Sequence, residues 1–333
     1  MPKFGVRLPV AGPLASVEAV SSTAMRAEDS GYDSVWVHDF ISWTKSMDRS
    51  HVSCGAIDLL KDDTTPQMYE TITVLAYLAA VTSRINIGSA ILCTPYRNPV
   101  VQAKQIAMID VLSGGRLILG AGVGALRRIG LDFEVVNVPR AQKYERTAEY
   151  LRLMREVWES ANPKFDGEFV TLPETEINPK PIQTPLPIWL GGKGEKSLSI
   201  CGELGNGWIP TWLTPADYRA EVPKVLAQVA SHGRSTDGFV IAKECYAAID
   251  TDDARAREFS GPTFQTFRHG FTVATDDGAT ASALLGDPAR IRDQVHEYLD
   301  AGVQHFEMKF IYLSVEHLHR QMDLFAEQVI AKL

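Results

Sequence analysis

The sequence predicts an α/β fold, a (β/α)8 TIM barrel with insertions after strands 2, 4 and 7. Three observations carry the prediction. Eight apolar, strand-like runs recur along 333 residues, helix-like segments separate nearly all of them, and the long polar or irregular stretches 41–65, 125–143 and 251–286 follow the second, fourth and seventh runs. Parallel strands need crossover connections, usually helical. Eight β-then-α units close into a barrel, and the loops that follow its strands form the active-site face. No linker or low-complexity segment breaks the pattern, so residues 1–333 read as a single domain.

The first strand is "KFGVRLPV" (3–10), and a helix over 17–32 follows, with Val20, Ala24 and Ala27 on one face and Gly31 as its stop. "SVWVHDF" (34–40) is the second strand. Pro66 opens a helix over 66–84 that places Met68, Ile72, Leu75 and Ala79 on one side. "INIGSAILC" (85–93) is the third strand. The next helix, 98–115, has an N-cap in Asn98, a first-turn Pro99 and a stop in Gly114. "RLILGAGVG" (116–124) is the fourth strand, and Ala148, Leu151, Met154 and Trp158 mark an amphipathic helix over 144–160. Residues 161–185 carry "FDGEFVTL", which reads as a short hairpin. Strands five to eight are 186–192, 207–212, 239–250 and 305–313. Helices over 195–205, 215–233 (with an internal Pro223) and 287–303 (capped by Asp287, with Pro288 at its first position) lie between them, and a last helix closes the chain.

A net charge of −8 and a pI near 5.5 argue against a nucleic-acid or anionic-membrane partner. Cys54, Cys93, Cys201 and Cys245 are scattered without a C-x-x-C, as expected of buried thiols in a reducing compartment. The opening residues lack a signal-peptide pattern and no run of 18 apolar residues occurs, so a cytoplasmic location is expected, with no membrane span.

Three stretches carry candidate chemistry. Gly120, Gly122 and Gly124 alternate at the end of the fourth strand. A dinucleotide fingerprint is spaced G-x-G-x-x-G and sits in the first strand-to-helix turn, so these glycines do not form one. Missing Cβ atoms there either relieve crowding at the barrel mouth or let a flat ring approach bare backbone. "GGKGEKS" (191–197) leaves a strand and enters a helix, which suits a phosphate on backbone N–H groups with Lys193 adding charge; an ordinary Gly-rich turn is the alternative. "WVHDFISW" (36–43) places His38, Asp39 and Trp43 where catalytic side chains emerge. His38 suits acid–base work, or is a satisfied structural histidine. The eight histidines show no metal-ligand spacing and no G-x-S-x-G elbow occurs, so no metal site is expected.

Several stretches together resemble the bacterial-luciferase-like flavin or deazaflavin oxidoreductases: "TPYRNPVVQAKQIAMIDVLSGGRLILGAGVG" (94–124), with "GYDSVWVHD" (31–39), "PIWLGGKGEKSL" (187–198), "ELGNGWIP" (203–210) and "GDPARIRDQVHEYLDAGVQHFEM" (286–308). The resemblance implies a homodimeric barrel that binds FMN or coenzyme F-420. The ring would lie near Gly88, Ser89, Ala90, Ile91, Gly122 and Gly124, and the phosphate near Gly191, Gly192 and Lys193. It also implies a non-proline cis peptide at Ala90–Ile91. Members often read Asp-His or Glu-His at the end of strand two; this chain reads Asp39-Phe40, with His38 two positions earlier. Arg127 and Arg128 in the fourth loop either meet an anion or are solvated.

The implied activity is hydride transfer or monooxygenation on a small organic substrate, with a separate flavin reductase in the FMN case. A catalytically silent flavin-binding barrel is one alternative. The other is a phosphate-binding isomerase or aldolase, for which Lys243, Glu244 and Lys309 are the strand candidates.

Overall fold

Strand pairing runs in a closed circle. β1 (Lys3–Arg7), β2 (Ser34–Val37), β3 (Asn86–Ser89), β4 (Leu117–Gly122), β5 (Ile188–Leu190), β6 (Gly207–Trp208), β7 (Val240–Ile249) and β8 (His305–Phe310) are parallel neighbours in that order. β8 then returns to β1, with Lys3 opposite His305. This computed structural model describes residues 1–42, 67–124, 131–270 and 278–333. The expected TIM barrel is therefore present. Most strands are shorter than their apolar runs, because the last apolar residues of a run stay buried at the mouth after the ladder has ended; Ile311 and Tyr312 beyond β8 are examples.

The outer helices are α1 (Val17–Asp29), α2 (Thr71–Val81), α3 (Pro99–Ser113), α4 (Lys143–Glu159), α5 (Glu195–Leu204), α6 (Pro215–Ser231), α7 (Pro288–Asp300) and α8 (Val315–Gln328). Six of them begin on a side-chain cap: Ser16, Glu70, Asn98, Thr214, Asp287 and Ser314 each accept a first-turn N–H. α4 and α5 do not; they begin at Gln142 and Gly194 without a side-chain bond. The expected signals at α3 hold. Asn98 Oδ1 accepts the N–H groups of Val100 and Val101 at 3.0 and 3.1 Å, and Gly114 closes the helix at φ 69°.

Two of three further stretches differ from expectation, and the hairpin follows it. α2 starts at Thr71 because the carboxylate of Glu70 caps it, while Gln67–Met68 pair antiparallel with Ala11–Gly12. The hairpin in 161–185 forms, as Phe165–Asp166 against Thr171–Leu172. The stretch 251–286, expected to be irregular, contains a helix, Asp253–Gly270, and a short strand, Leu284–Gly286, parallel to the end of β7. Its apolar residues Ala256 and Phe264 pack on Tyr246, Ala248 and Ile311, so tertiary burial sustains a helix that internal Pro262 and many charges disguise.

The barrel interior is a packed core. Trp36, Ala90, Ile118, Trp189, Ile209 and Ala242 fill its lower part. The two indoles lie 5.3 Å apart, and His305 meets both edge-on. Two indoles in one layer require bare neighbours. A Cβ on Gly88 would fall 2.4 Å from the Trp36 ring, and one on Gly207 2.7 Å from Trp189. Trp36 Nε1 donates to Ser34 Oγ at 2.7 Å, and Ser34 Oγ in turn bonds His305 Nε2 at 2.8 Å, so the Trp36 indole N–H is satisfied within the layer. Cys93, Cys201 and Cys245 are buried free thiols; Cys54 lies outside the described residues.

Candidate active site

Side-chain alternation decides what the mouth receives from β2. Val35 and Val37 join the outer core and Trp36 the inner one, so His38 continues the inner face. Its side chain is buried and meets Phe40 edge-on at 5.2 Å. Asp39 belongs to the opposite face and is wholly engaged. Arg97 donates to both its oxygens at 2.7 Å, the Cys93 N–H donates at 2.9 Å and Thr71 Oγ1 at 3.0 Å. Arg97 also bonds Glu70. One ion-pair cluster thus ties the exit of β2 to the start of α2 and the loop after β3. Arg97 was not singled out from the sequence; its position in a loop after a barrel strand was the available signal. Trp43, Arg127 and Arg128 lie outside the described residues.

After β3 the Ala90–Ile91 peptide is cis, as the resemblance implied. Ile91 then occupies the space that the mouth glycines clear. A Cβ on Gly191 would fall 2.0 Å from Ile91 Cδ1, and one on Gly122 2.8 Å from Ile91 Cγ2. Gly120 serves a different contact, since its Cβ would lie 1.8 Å from the Ser89 carbonyl oxygen. Ser89 Oγ donates to the Gly120 carbonyl at 2.8 Å, locking β3 to β4. Gly88, grouped with the ring-binding residues, lies one pleat lower against Trp36, so its missing Cβ serves the indole. Gly124, at φ 84°, packs under Phe133 and Tyr96, and its carbonyl accepts Lys143 Nζ at 3.3 Å.

The turn after β5 is open. Gly192, Lys193 and Gly194 are exposed. Gly192 has φ 90°, and its carbonyl accepts Trp208 Nε1 at 2.7 Å. Because α5 has no side-chain cap, its first-turn N–H groups keep the capacity to bind an anion.

Above the indole layer stand four charged side chains that the sequence brought together only in part. Arg7 donates to both oxygens of Glu307 at 2.6 and 3.0 Å and lies 3.4 Å from Glu244, which pairs with Lys309 at 2.5 Å. Burial opposes the charge on Lys309, but Glu244, Tyr246 and Glu307 together outweigh it and hold the ammonium above its ordinary range. Lys243 is on the other face of β7, outside the barrel. It is fully buried, donates to the Leu213 carbonyl at 3.1 Å and lies 4.3 Å from the centre of the Tyr298 ring. Burial pulls its pKa down to about 8. The isomerase or aldolase alternative therefore loses Lys243 from the mouth and finds Glu244 and Lys309 paired with each other. Among the described residues no group of three or more His, Cys, Asp or Glu is placed to hold a metal ion.

A family model for luciferase-like monooxygenases matches residues 4–270. The F-420-dependent glucose-6-phosphate dehydrogenase of Amycolatopsis mediterranei is 27% identical over 93% of this chain and 92% of its own length. The 5,10-methylenetetrahydromethanopterin reductase of Methanopyrus kandleri is 26% identical over 83% of this chain and 84% of its own. A solved F-420-dependent secondary alcohol dehydrogenase, in complex with an F-420–acetone adduct, shares the fold with a TM-score of 0.79 at 20% identity, covering 99% of this chain and 98% of that one. With the family model matched over most of its length, the chain belongs to the luciferase-like monooxygenase family and is an oxidoreductase of the flavin type.

Proposed function

We propose that this protein works as a single luciferase-like domain that binds coenzyme F-420 or reduced FMN at the C-terminal mouth of its barrel and acts on a small organic substrate. The observation that carries this reading is the Ile91 ridge, cradled by Gly122 and Gly191 and set beside the exposed, uncapped turn into α5. A ring buttressed on Ser89, Ala90, Ile91, Gly122 and Gly124 would extend its phosphate to Gly191, Gly192 and Lys193. When bound, the group supplies hydride in its deazaflavin form, or oxygen activation in its FMN form. The chain's own part is positioning and exclusion of water. His38, on the inner face, takes the acid–base role, while Asp39, held by Arg97, positions the strand end. The Trp212–Tyr246 stack, with ring centres 5.1 Å apart, gives the substrate an apolar wall backed by Phe264 and Ile311.

A homodimer is part of the same proposal. Tyr77 of α2 and Val101, Met108 and Leu112 of α3 are 37, 56, 40 and 53% exposed, and the three on α3 share one face. Burying them needs a partner surface, and a second copy supplies one by symmetry. Light scattering on the purified protein tests this, with a monomer as the opposing result. A separate reductase enters only in the FMN case. Among the described residues no helix is long and apolar enough to cross a membrane, which accords with the proposed cytoplasmic location.

The test is titration with coenzyme F-420 and, separately, FMN, followed by fluorescence quenching. Saturable binding of one is expected. Binding of neither overturns the proposal.

A further inference from the structure

We infer that Lys243 is a positioning residue: from behind the barrel wall its ammonium holds the Leu213 carbonyl, and so fixes Trp212 as the wall of the substrate pocket. The inference rests on the reading of the Trp212–Tyr246 stack given above, and it names what keeps that stack in place.

Trp212 needs holding. Its φ is 60°, in the left-handed region that is unfavourable for a residue with a Cβ. The turn that carries it, between β6 and α6, is fixed at both ends. The Glu244 N–H donates to the Pro210 carbonyl at 3.2 Å. Thr214 and Asp217 cap α6 reciprocally, with the Thr214 N–H on Asp217 Oδ2 at 2.8 Å and the Asp217 N–H on Thr214 Oγ1 at 3.2 Å. Between those points the hold is on the Leu213 carbonyl. Lys243 Nζ donates to it at 3.1 Å and the Tyr298 hydroxyl at 3.0 Å. The Tyr298 hydroxyl also reaches the Ser282 carbonyl at 3.1 Å, so its single hydrogen is shared. Lys243 brings a charge-assisted bond to Leu213 alone, the stronger kind of the two.

Lys243 is an expensive residue where it stands. It is fully buried on the outer face of β7. The titratable groups around it are Asp217 and Tyr218 of α6, Tyr298 of α7, and Glu244 and Cys245 of β7. Burial holds the two phenols and the thiol neutral. The two carboxylates are engaged elsewhere, Asp217 by Thr214 and Glu244 by Lys309. In place of water the ammonium has one carbonyl and the rings of Tyr298 and Tyr218, at 4.3 and 5.8 Å. Its pKa falls to about 8, chiefly through burial, so at pH 7 it carries a charge that folding disfavours. An unbranched apolar side chain would pack in the same space without that penalty. What the ammonium adds is its hold on Leu213, and through it the placement of the next side chain back, Trp212.

Lys243→Met separates this role from a purely structural one. Urea denaturation at pH 7 is expected to show global stability unchanged or raised. In the same variant, amide hydrogen exchange in residues 209–214 should speed up about tenfold, the effect of losing one charge-assisted hydrogen bond that opposes local opening. Acrylamide quenching of Trp212, read as the difference from a Trp212→Phe reference in each background, should rise with it. Tyr298→Phe removes only the shared hydrogen and should speed the same exchange about twofold to fivefold. Exchange and quenching equal to wild type in Lys243→Met, or a fall in global stability that matches the faster exchange, overturns the inference. These measurements use the protein without cofactor, so they stand apart from the coenzyme F-420 and FMN titrations. Failure of those titrations overturns the flavin-type reading and leaves the Leu213 anchor as measured.

Discussion

Replacing Gly191 with Ala isolates the contact on which the mouth is built. The added Cβ would fall 2.0 Å from Ile91 Cδ1, whereas its next neighbours are Ile91 Cγ1 at 3.5 Å and the Ile209 carbonyl oxygen at 3.6 Å. Carbon atoms pack best at about 3.5–4.0 Å, so nearly all the strain is one methyl group. Gly191 does not adopt a positive φ, so the backbone itself tolerates alanine. Overpacking of this kind costs about 1–3 kcal/mol. Ile91→Val deletes the offending Cδ1 and costs about 0.5–1.5 kcal/mol alone. Added to Ile91→Val, the Gly191→Ala change should then be close to neutral, which gives a coupling of about 1–3 kcal/mol. Urea denaturation of the four proteins, without cofactor, measures it. Additivity within about 0.5 kcal/mol would refute the account of Gly191 as the seat of Ile91.

Other consequences can be checked with the same assay. Gly120→Ala sets its Cβ against the Ser89 carbonyl, which is backbone and cannot rotate away, so it should cost about 3 kcal/mol or more and resist rescue by Ile91→Val. Arg97→Ala leaves the Asp39 carboxylate buried with its ion-pair partner gone, and a loss of about 3–5 kcal/mol is expected; Arg97→Lys should recover only part of it, because an ammonium cannot reproduce the two-pronged contact. His305 is pulled down to about 3, chiefly by burial, against an ordinary 6.5. Between those values the unfolded chain binds the extra proton, so this contribution is intact above pH 6.5 and is lost as the pH falls toward 3. Near pH 5 the loss should be about 2 kcal/mol, and His305→Gln should flatten that part of the urea-stability profile; an unchanged slope would show that another group causes it.

How far the sequence could be read depended on whether a signal was local. Each strand carries its own apolar run, and Asn98, Pro99 and Gly114 delimit α3 within a few residues, so the barrel and that helix were legible. The Asp39–Arg97 pair joins residues 58 apart, and no local pattern in "TPYRNP" announces it. The helix Asp253–Gly270 was hidden because its burial surface comes from β7 and the segment after β8 rather than from its own periodicity. The glycines illustrate the limit best. Their placement near the mouth could be read from the chain, but Gly88 faces Trp36, Gly120 a carbonyl and Gly122 Ile91. Only the folded barrel shows which neighbour each missing Cβ admits.

Hydrogen exchange with and without coenzyme F-420 tests the central claim most directly, because it locates the ligand without needing the substrate. Protection should appear in residues 89–93, 120–124 and 191–198, all at the C-terminal mouth, while the N-terminal face around Lys3 and Gly238 stays unchanged. Protection confined to that opposite face, or none at saturating coenzyme and at saturating FMN, would contradict the account.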